Sequence, residues 1–185
     1  MRRLDKPQAL AALAEARASI PPQFRQCVMC ALAASAMKPN LFIRETEHAV
    51  CVLNAFGSMP SDMLVVAKRH LPTLAEVPWE VHEDMSRLAW EAGRVLERRG
   101  AKRVYLAQLG SPADIPTSYA HAHVHVIPVT TTDESARPAV VLSWSSGVIA
   151  YDPGEGEALA ASLAASFQES PSTVTGTFRR SKFRD

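Results

Sequence analysis

The chain of 185 residues reads as α+β: an antiparallel sheet of about five strands, one long helix and a short N-terminal helix. Three observations predict this. After Pro78, the residues Val81, Met85, Leu88, Ala89, Ala92, Val95 and Leu96 recur at spacings of three and four, the pattern of a helix with one apolar face. Several strand-like runs lie on either side of that helix, an order that indicates an antiparallel sheet. One of them, His121-Ala122-His123-Val124-His125-Val126-Ile127-Pro128, alternates at period two, as a strand with one buried face does.

The elements follow in order. Residues 7–18 are predicted to be helical, because Asp5 suits a cap, Pro7 suits the first turn and an Ala-rich stretch follows. Ile20-Pro21-Pro22 stops that helix. Cys27-Val28-Met29-Cys30 leads into a second short helical stretch, ended by Pro39-Asn40. Leu41–Arg44 and His48–Asn54 are read as strands around a polar turn. Met63–Ala67 is a mostly apolar third strand, buried on both faces. Gly100 sits at the C-terminal end of the long helix. Arg103–Leu109 is the fourth strand, residues 110–119 a loop, and the histidine run the fifth strand. Beyond Pro128, Val140–Trp144 and Val148–Tyr151 are expected as short strands and Glu155–Phe167 as a helix. The end from Glu169 is read as poorly ordered or partner-dependent, its basic stretch Phe178-Arg179-Arg180-Ser181-Lys182-Phe183-Arg184 as a frayed, solvated end or, alternatively, a contact to a polyanionic substrate or the partner subunit. The expected organisation is an N-terminal helical extension (1–22), a central domain (23–129) and a C-terminal extension packed on that domain (130–185).

Composition narrows the class of protein. With 47% apolar and 21% charged residues the chain is of globular type. A net charge of +1 gives no global field for nucleic acid or a membrane surface. No apolar run approaches the ~18–20 residues of a membrane span. Met-Arg-Arg-Leu-Asp-Lys-Pro has no apolar core after it, so a signal peptide is not expected. Three cysteines, an odd count, suit a reducing cytoplasm better than a disulfide framework.

Chemistry concentrates on the histidine run. A solvated strand face usually carries Lys, Glu, Thr or Ser, whereas this one carries only imidazoles, which ligate metals and serve as nucleophiles. Same-face neighbours on a strand are ~6.5–7 Å apart and the outer pair ~13 Å apart. The three cannot share one metal ion, so at least one has a different task. Cys27-x-x-Cys30 has the knuckle spacing of a zinc site. The same pair also fits a redox motif, though no thioredoxin-type context surrounds it, or two buried small side chains. His48, His70, His82 and one member of the triad are the candidates to complete a metal site, with His48 and His82 placed on solvated positions.

At this point the residues carry a resemblance. His121-Ala122-His123-Val124-His125-Val126-Ile127 resembles the His-φ-His-φ-His-φ-φ motif of the histidine triad (HIT) family of nucleotide hydrolases and transferases, φ being apolar. The resemblance extends to Cys27-x-x-Cys30, to Val52-Leu53-Asn54 and to Leu64–His70, and covers roughly residues 24–128. It implies a HIT-like fold and a homodimer joined through the sheet. It makes His123 the nucleophile that attacks the α-phosphorus of a nucleotide and forms a covalent nucleotidyl-histidine. It makes His125 a phosphate contact, Asn54 a ribose contact, Ser118 a contact to phosphate and leaving group, and Gln108 a residue near the phosphates. In zinc-containing members the ligands match Cys27, Cys30, His70 and His121, a closed structural site.

The chain also departs from the family pattern. Pro116-Thr117 stands where Gly-Gln is usual, so one backbone N–H is missing there. Asp62-Met63 opens the third strand where Gly-His is usual, and an acid beside a phosphate is unfavourable unless it points away. A histidine at 125 resembles the hydrolase branches more than the hexose-1-phosphate uridylyltransferases, which have Gln there. The expected activity is cleavage at the α-phosphate of a dinucleoside polyphosphate, a nucleoside phosphoramidate or a similar nucleotide, with phosphorolysis still open. Val28, Met29 and Val52 are candidates for the nucleobase walls. The competing reading is a zinc-stabilised nucleotide-binding module with little turnover. A cupin-like oxygenase is set aside, since no carboxylate follows the histidines until Asp133.

Overall fold

A computed structural model describes residues 1–24, 27–108 and 119–168. Five antiparallel strands form the central sheet: β2 (Phe42–Glu45), β3 (Ala49–Leu53), β4 (Met63–Ala67), β5 (Arg103–Ala107) and β6 (His123–Val129), in the order β2-β3-β4-β6-β5. β3 and β4 are buried at every position, as expected of strands covered on both faces.

The long helix α3 (Trp79–Arg98) covers one face. Its apolar stripe packs with Cys51, Met63, Val65, Ala67 and Val126 into the main core. Pro78 is its N-cap residue, and Gly100 follows its end at φ +100°, a backbone state glycine adopts without steric cost. Asp84 ties this helix to the β2–β3 turn: Thr46 Oγ1 donates to it at 2.6 Å and the His48 N–H at 2.9 Å. Arg87 donates to its other oxygen at 2.5 Å.

The opposite face of the sheet is covered by α2 (Val28–Ala33), where Met29 packs on Val50, Val52, Leu64 and Val66. α1 (Lys6–Ala18) stands beside it, opened by a reciprocal cap between Asp5 and Gln8.

The N-terminal residues meet the segment that follows the central sheet. β1 (Arg2–Leu4), which the sequence did not suggest, pairs antiparallel with β7 (Val148–Ala150), with Leu4 opposite Val148. Gly147 makes the close approach possible. At φ +76°, a Cβ there would lie 2.2 Å from the Leu4 carbonyl oxygen. α5 (Glu155–Gln168) then brings Ala160, Leu163 and Phe167 into the main core.

Some expectations need correction. Val140–Trp144 is no strand: α4 (Pro138–Leu142) occupies most of it, and Trp144 follows at φ +57°. Pro138 at the first helical turn favours helix, which outweighs the strand preference of the two valines. The second helix stops at Ala33, well before Pro39, because Ser35 turns into positive φ. His121 lies ahead of β6, not within it. The expected strand end at Leu109 and the terminus from Glu169 lie outside the described residues, as does Ser118.

Candidate functional site

Cys27 is the N-cap residue of α2, and its Sγ accepts the Cys30 N–H at 3.4 Å. This turn points both sulfurs toward His70, just after β4, and His121, just before β6. Cys27 Sγ lies 3.3 Å from His121 Nδ1; Cys30 Sγ lies 3.5 Å from both His70 Nδ1 and His121 Nδ1. The two Nδ1 atoms are 3.3 Å apart. All four atoms lie within 4.8 Å of one another. A tetrahedron with Zn–S of ~2.3 Å and Zn–N of ~2.0 Å has edges of roughly 3.3–3.8 Å, so the spacing and the Cys2His2 donor set fit a closed structural zinc site.

One further observation supports that fit. His121 Nε2 lies 2.8 Å from the Ala67 carbonyl oxygen. A carbonyl only accepts, so Nε2 carries the proton and Nδ1 offers its lone pair to the cluster. Burial, and then the Cys27 thiol, push the Cys30 thiol up to about 12. A metal ion reverses that preference and takes thiolates, releasing protons as it binds. His48 and His82 stand apart from the cluster. His48 lies 3.8 Å from Glu47, and His82 packs against Trp79.

Two residues on, the hydrogen-bond arrangement inverts. His123 Nδ1 lies 2.6 Å from the His121 carbonyl oxygen, so Nδ1 is the donor and Nε2 keeps its lone pair. His123 and His125 sit side by side on β6, opposite Val66 and Leu64 of β4, with ring centroids 5.2 Å apart. Burial holds both below the usual histidine range. For His125, burial and the neighbouring His123 bring it to about 4. Both rings are therefore neutral at pH 7, the state a nitrogen nucleophile requires.

These two imidazoles line a cavity of about 720 Å³, a volume within the range of small-molecule sites. Val28, Met29, Leu32, Phe56, Ile127 and Trp144 make its apolar walls. Asn54 and Gln108 also line it. Val52 does not line it but lies beneath, packed with Met29. Ser118 falls outside the described residues, and with it any geometry for the expected phosphate contact.

Asp62 also borders the cavity, at 1% exposure. Burial pushes its carboxyl up to about 8, and the neighbouring Asn54 side chain and Ser58 backbone oppose that shift only in part. Its Oδ1 has no partner among the described residues. The acid that looked unfavourable beside a phosphate is thus mostly uncharged at neutral pH. The cavity's contacts with α1 and the 138–144 segment were not legible from motif spacing, whereas Asp62 stood out as an acid at a position where the family pattern has Gly.

A family model of the HIT domain matches residues 35–132, just over half of the chain. The protein belongs to the HIT family. Membership supports a nucleotide hydrolase or transferase type of function in general, and HIT proteins bind nucleotides. His70 and His121 fall inside the matched residues, Cys27 and Cys30 before them.

Among solved structures, a zinc-bound histidine triad family protein from Mycobacterium smegmatis is 22% identical. It has a TM-score of 0.59 and covers 77% of this chain and 93% of its own. A Hit-like protein involved in cell-cycle regulation from Bartonella henselae is 16% identical, with a TM-score of 0.61 over 76% and 95%. A hypothetical histidine triad nucleotide-binding protein from Sulfolobus tokodaii is 18% identical, with a TM-score of 0.58 over 77% and 92%. At these identities the likeness establishes the fold. No match was found among curated proteins. No helix among the described residues is long and apolar enough to cross a membrane.

Proposed function

We propose that this HIT protein is a nucleotidyl hydrolase or transferase that works through a covalent nucleotidyl-histidine on His123. The observation that carries the reading is the His123 tautomer. Its proton is committed to the His121 carbonyl, which leaves Nε2 as a neutral nucleophile on the wall of a nucleotide-sized cavity. Nε2 attacks the α-phosphorus, a P–N bond forms, and the bond to the leaving group breaks. The leaving group departs with its electron pair and takes up a proton. Water, or phosphate in a phosphorylase variant, then displaces the histidine and releases the nucleotide. Substrates of this kind are dinucleoside polyphosphates, nucleoside phosphoramidates and similar nucleotides.

His125 and Ser118 are assigned to the phosphate, Asn54 to the ribose and Gln108 to the phosphate end of the cavity. Cys27, Cys30, His70 and His121 would hold zinc, which would supply cross-linking stability. The zinc-bound M. smegmatis relative and the donor geometry support this assignment. We further assign residues 23–129 to the catalytic domain, 1–22 and 130–185 to extensions of it, a homodimer to the assembly and the cytoplasm to the location.

The test is incubation with a labelled dinucleoside polyphosphate followed by intact mass measurement. A nucleotidyl adduct that disappears in His123→Ala, with zinc still bound, is the expected result. Neither adduct nor product under slow-turnover conditions would favour a zinc-stabilised nucleotide-binding module.

A further inference from the structure

Asn54 and Asp62 stand opposite each other where the loop between β3 and β4 begins and ends. The register Val52↔Leu64 and Leu53↔Met63 leads up to this pair, and the Asn54 N–H donates to the Asp62 carbonyl at 2.8 Å. Side chains alternate along a strand. Leu53 and Met63 enter the main core, so Asn54 and Asp62 share the other face with Val52 and Leu64, where both line the cavity. Directly opposite residues on one face of a sheet have Cβ atoms about 4.5–5.5 Å apart, close enough for short side chains to act on each other.

The loop closes on the Asp62 carboxyl. A Cβ on Gly57 would lie 2.5 Å from the Asp62 Cβ and 2.9 Å from its Oδ2, so the approach requires glycine. Three contacts from distant parts of the chain hold the loop there. The Ile149 N–H donates to the Gly57 carbonyl at 2.7 Å, Arg3 to the Ser58 carbonyl at 3.2 Å, and the Ser61 N–H to the Tyr151 hydroxyl at 3.1 Å. A buried carboxyl with an oxygen left unpartnered costs stability where it stands, so packing alone does not account for Asp62. Its neighbour supplies a role. Asn54 Oδ1 accepts the Phe56 N–H at 3.0 Å, which leaves Nδ2 as the free half of the amide. Against the burial that raises the Asp62 carboxyl, the Asn54 side chain pulls it down, as an amide does when its N–H₂ group faces a carboxylate. A carboxyl can accept from an amide whether or not it is ionised. The turn thus holds one end of the Asn54 amide and Asp62 the other.

We propose that Asp62 is a positioning residue: it holds the Asn54 amide in one orientation and so sets the preference of the cavity for a ribose over a 2′-deoxyribose. This rests on the ribose role given to Asn54 above and extends it to a residue whose own carboxyl is covered. The clamped amide still offers one lone pair on Oδ1 and one N–H on Nδ2, an acceptor and a donor in fixed places for a pair of vicinal hydroxyls. Without the clamp the amide must be ordered by the ligand itself, at a cost in affinity. A sugar that lacks the 2′-hydroxyl uses only part of the arrangement. The ribose preference, rather than affinity in general, therefore reports the clamp.

The experiment is calorimetric titration of the full-length, zinc-loaded protein with adenosine, guanosine and cytidine monophosphates and with their 2′-deoxy forms. The parent should prefer the ribose form. Asp62→Ala should narrow that preference by roughly two- to fivefold, a fraction of one hydrogen bond, with a melting temperature no lower than the parent's. Asp62→Ser should do the same, so the test survives if one variant folds poorly. Asp62→Asn, whose amide oxygen can still accept from Asn54, should keep the preference. The double variant Asn54→Ala, Asp62→Ala should have no less preference than Asn54→Ala alone, because residues that act as one unit are not additive. A parent-like preference in both Asp62→Ala and Asp62→Ser, an additive loss in the double variant, or an equal loss in Asp62→Asn would overturn the clamp while leaving Asn54 on the ribose. Absence of binding, or of any ribose preference in the parent, would overturn both.

Discussion

His121 and His123 are two residues apart, share a side chain and are both buried, yet they are prepared for different chemistry. His121 gives its Nε2 proton to the Ala67 carbonyl and turns Nδ1 to a sulfur-lined cluster. His123 gives its Nδ1 proton to the carbonyl of His121 and keeps Nε2 for the cavity. The backbone acceptor each ring meets fixes its tautomer, and the tautomer fixes what the ring can do. A repeated residue is thus divided into a metal-facing and a cavity-facing half by hydrogen bonds that no side chain supplies.

That division can be broken from either side. The largest effect is expected from His123→Ala. Rates measured on a dinucleoside polyphosphate should fall by at least a factor on the order of 10³, while metal content by elemental analysis stays at one zinc per chain. Loss of zinc in this variant would show that the two halves are not separate.

Next comes Cys30→Ser on the metal side. Zinc retention should drop and the melting temperature should fall by roughly 10 °C, consistent with a loss of a few kcal/mol. At a temperature where the variant is folded, the covalent adduct on His123 should still form. An intact melting temperature would remove the structural role of the cluster.

A smaller effect concerns Asp62 at the edge of the cavity. Burial raises its carboxyl from an ordinary 3.8 to about 8, so between those values the folded chain holds a proton that the unfolded chain has released. Stability from this group is therefore present at low pH and declines as pH rises toward about 8. Asp62→Asn should flatten that decline, read as urea midpoints at pH 5 and pH 8.5. Parallel curves for variant and parent would show that Asp62 is ionised in the fold.

The smallest effect is expected from Asn54→Ala. Affinity for a ribonucleotide should weaken by about five- to tenfold, as for one lost hydrogen bond. The preference over the 2′-deoxy analogue should shrink with it. An unchanged preference would detach Asn54 from the sugar.

Much of this was legible in the sequence because it is local or periodic. The stripe of α3 is written at 3.6-residue spacing, and the histidines at spacing two. Cys27-x-x-Cys30 and its resemblance to zinc-containing relatives led to the four residues that the structure brings together. What was not legible depends on distance along the chain. Arg17 meets Tyr119 across about a hundred residues, and no pattern encodes such a meeting. Tautomers depend on which carbonyl lies opposite a ring, and the burial of Asp62 on what surrounds it. The 140–144 stretch was misread because valines there suggested extended chain, while one proline upstream set a helical turn. β1 was missed because three residues are too few to show a period.

The ribbon of β1 and β7 bears on the order in which the molecule is completed. All four cluster residues exist once residue 121 has been made, and the sheet once Val129 has. Leu4, however, has no strand to pair with until Val148 is synthesised. Such a contact closes a very long loop and belongs among the slow steps of assembly. The first helix to emerge is therefore among the last to be seated. A nascent or truncated chain lacking β7 should hold zinc and display the histidines, but with β1 unpaired and α1 not yet seated.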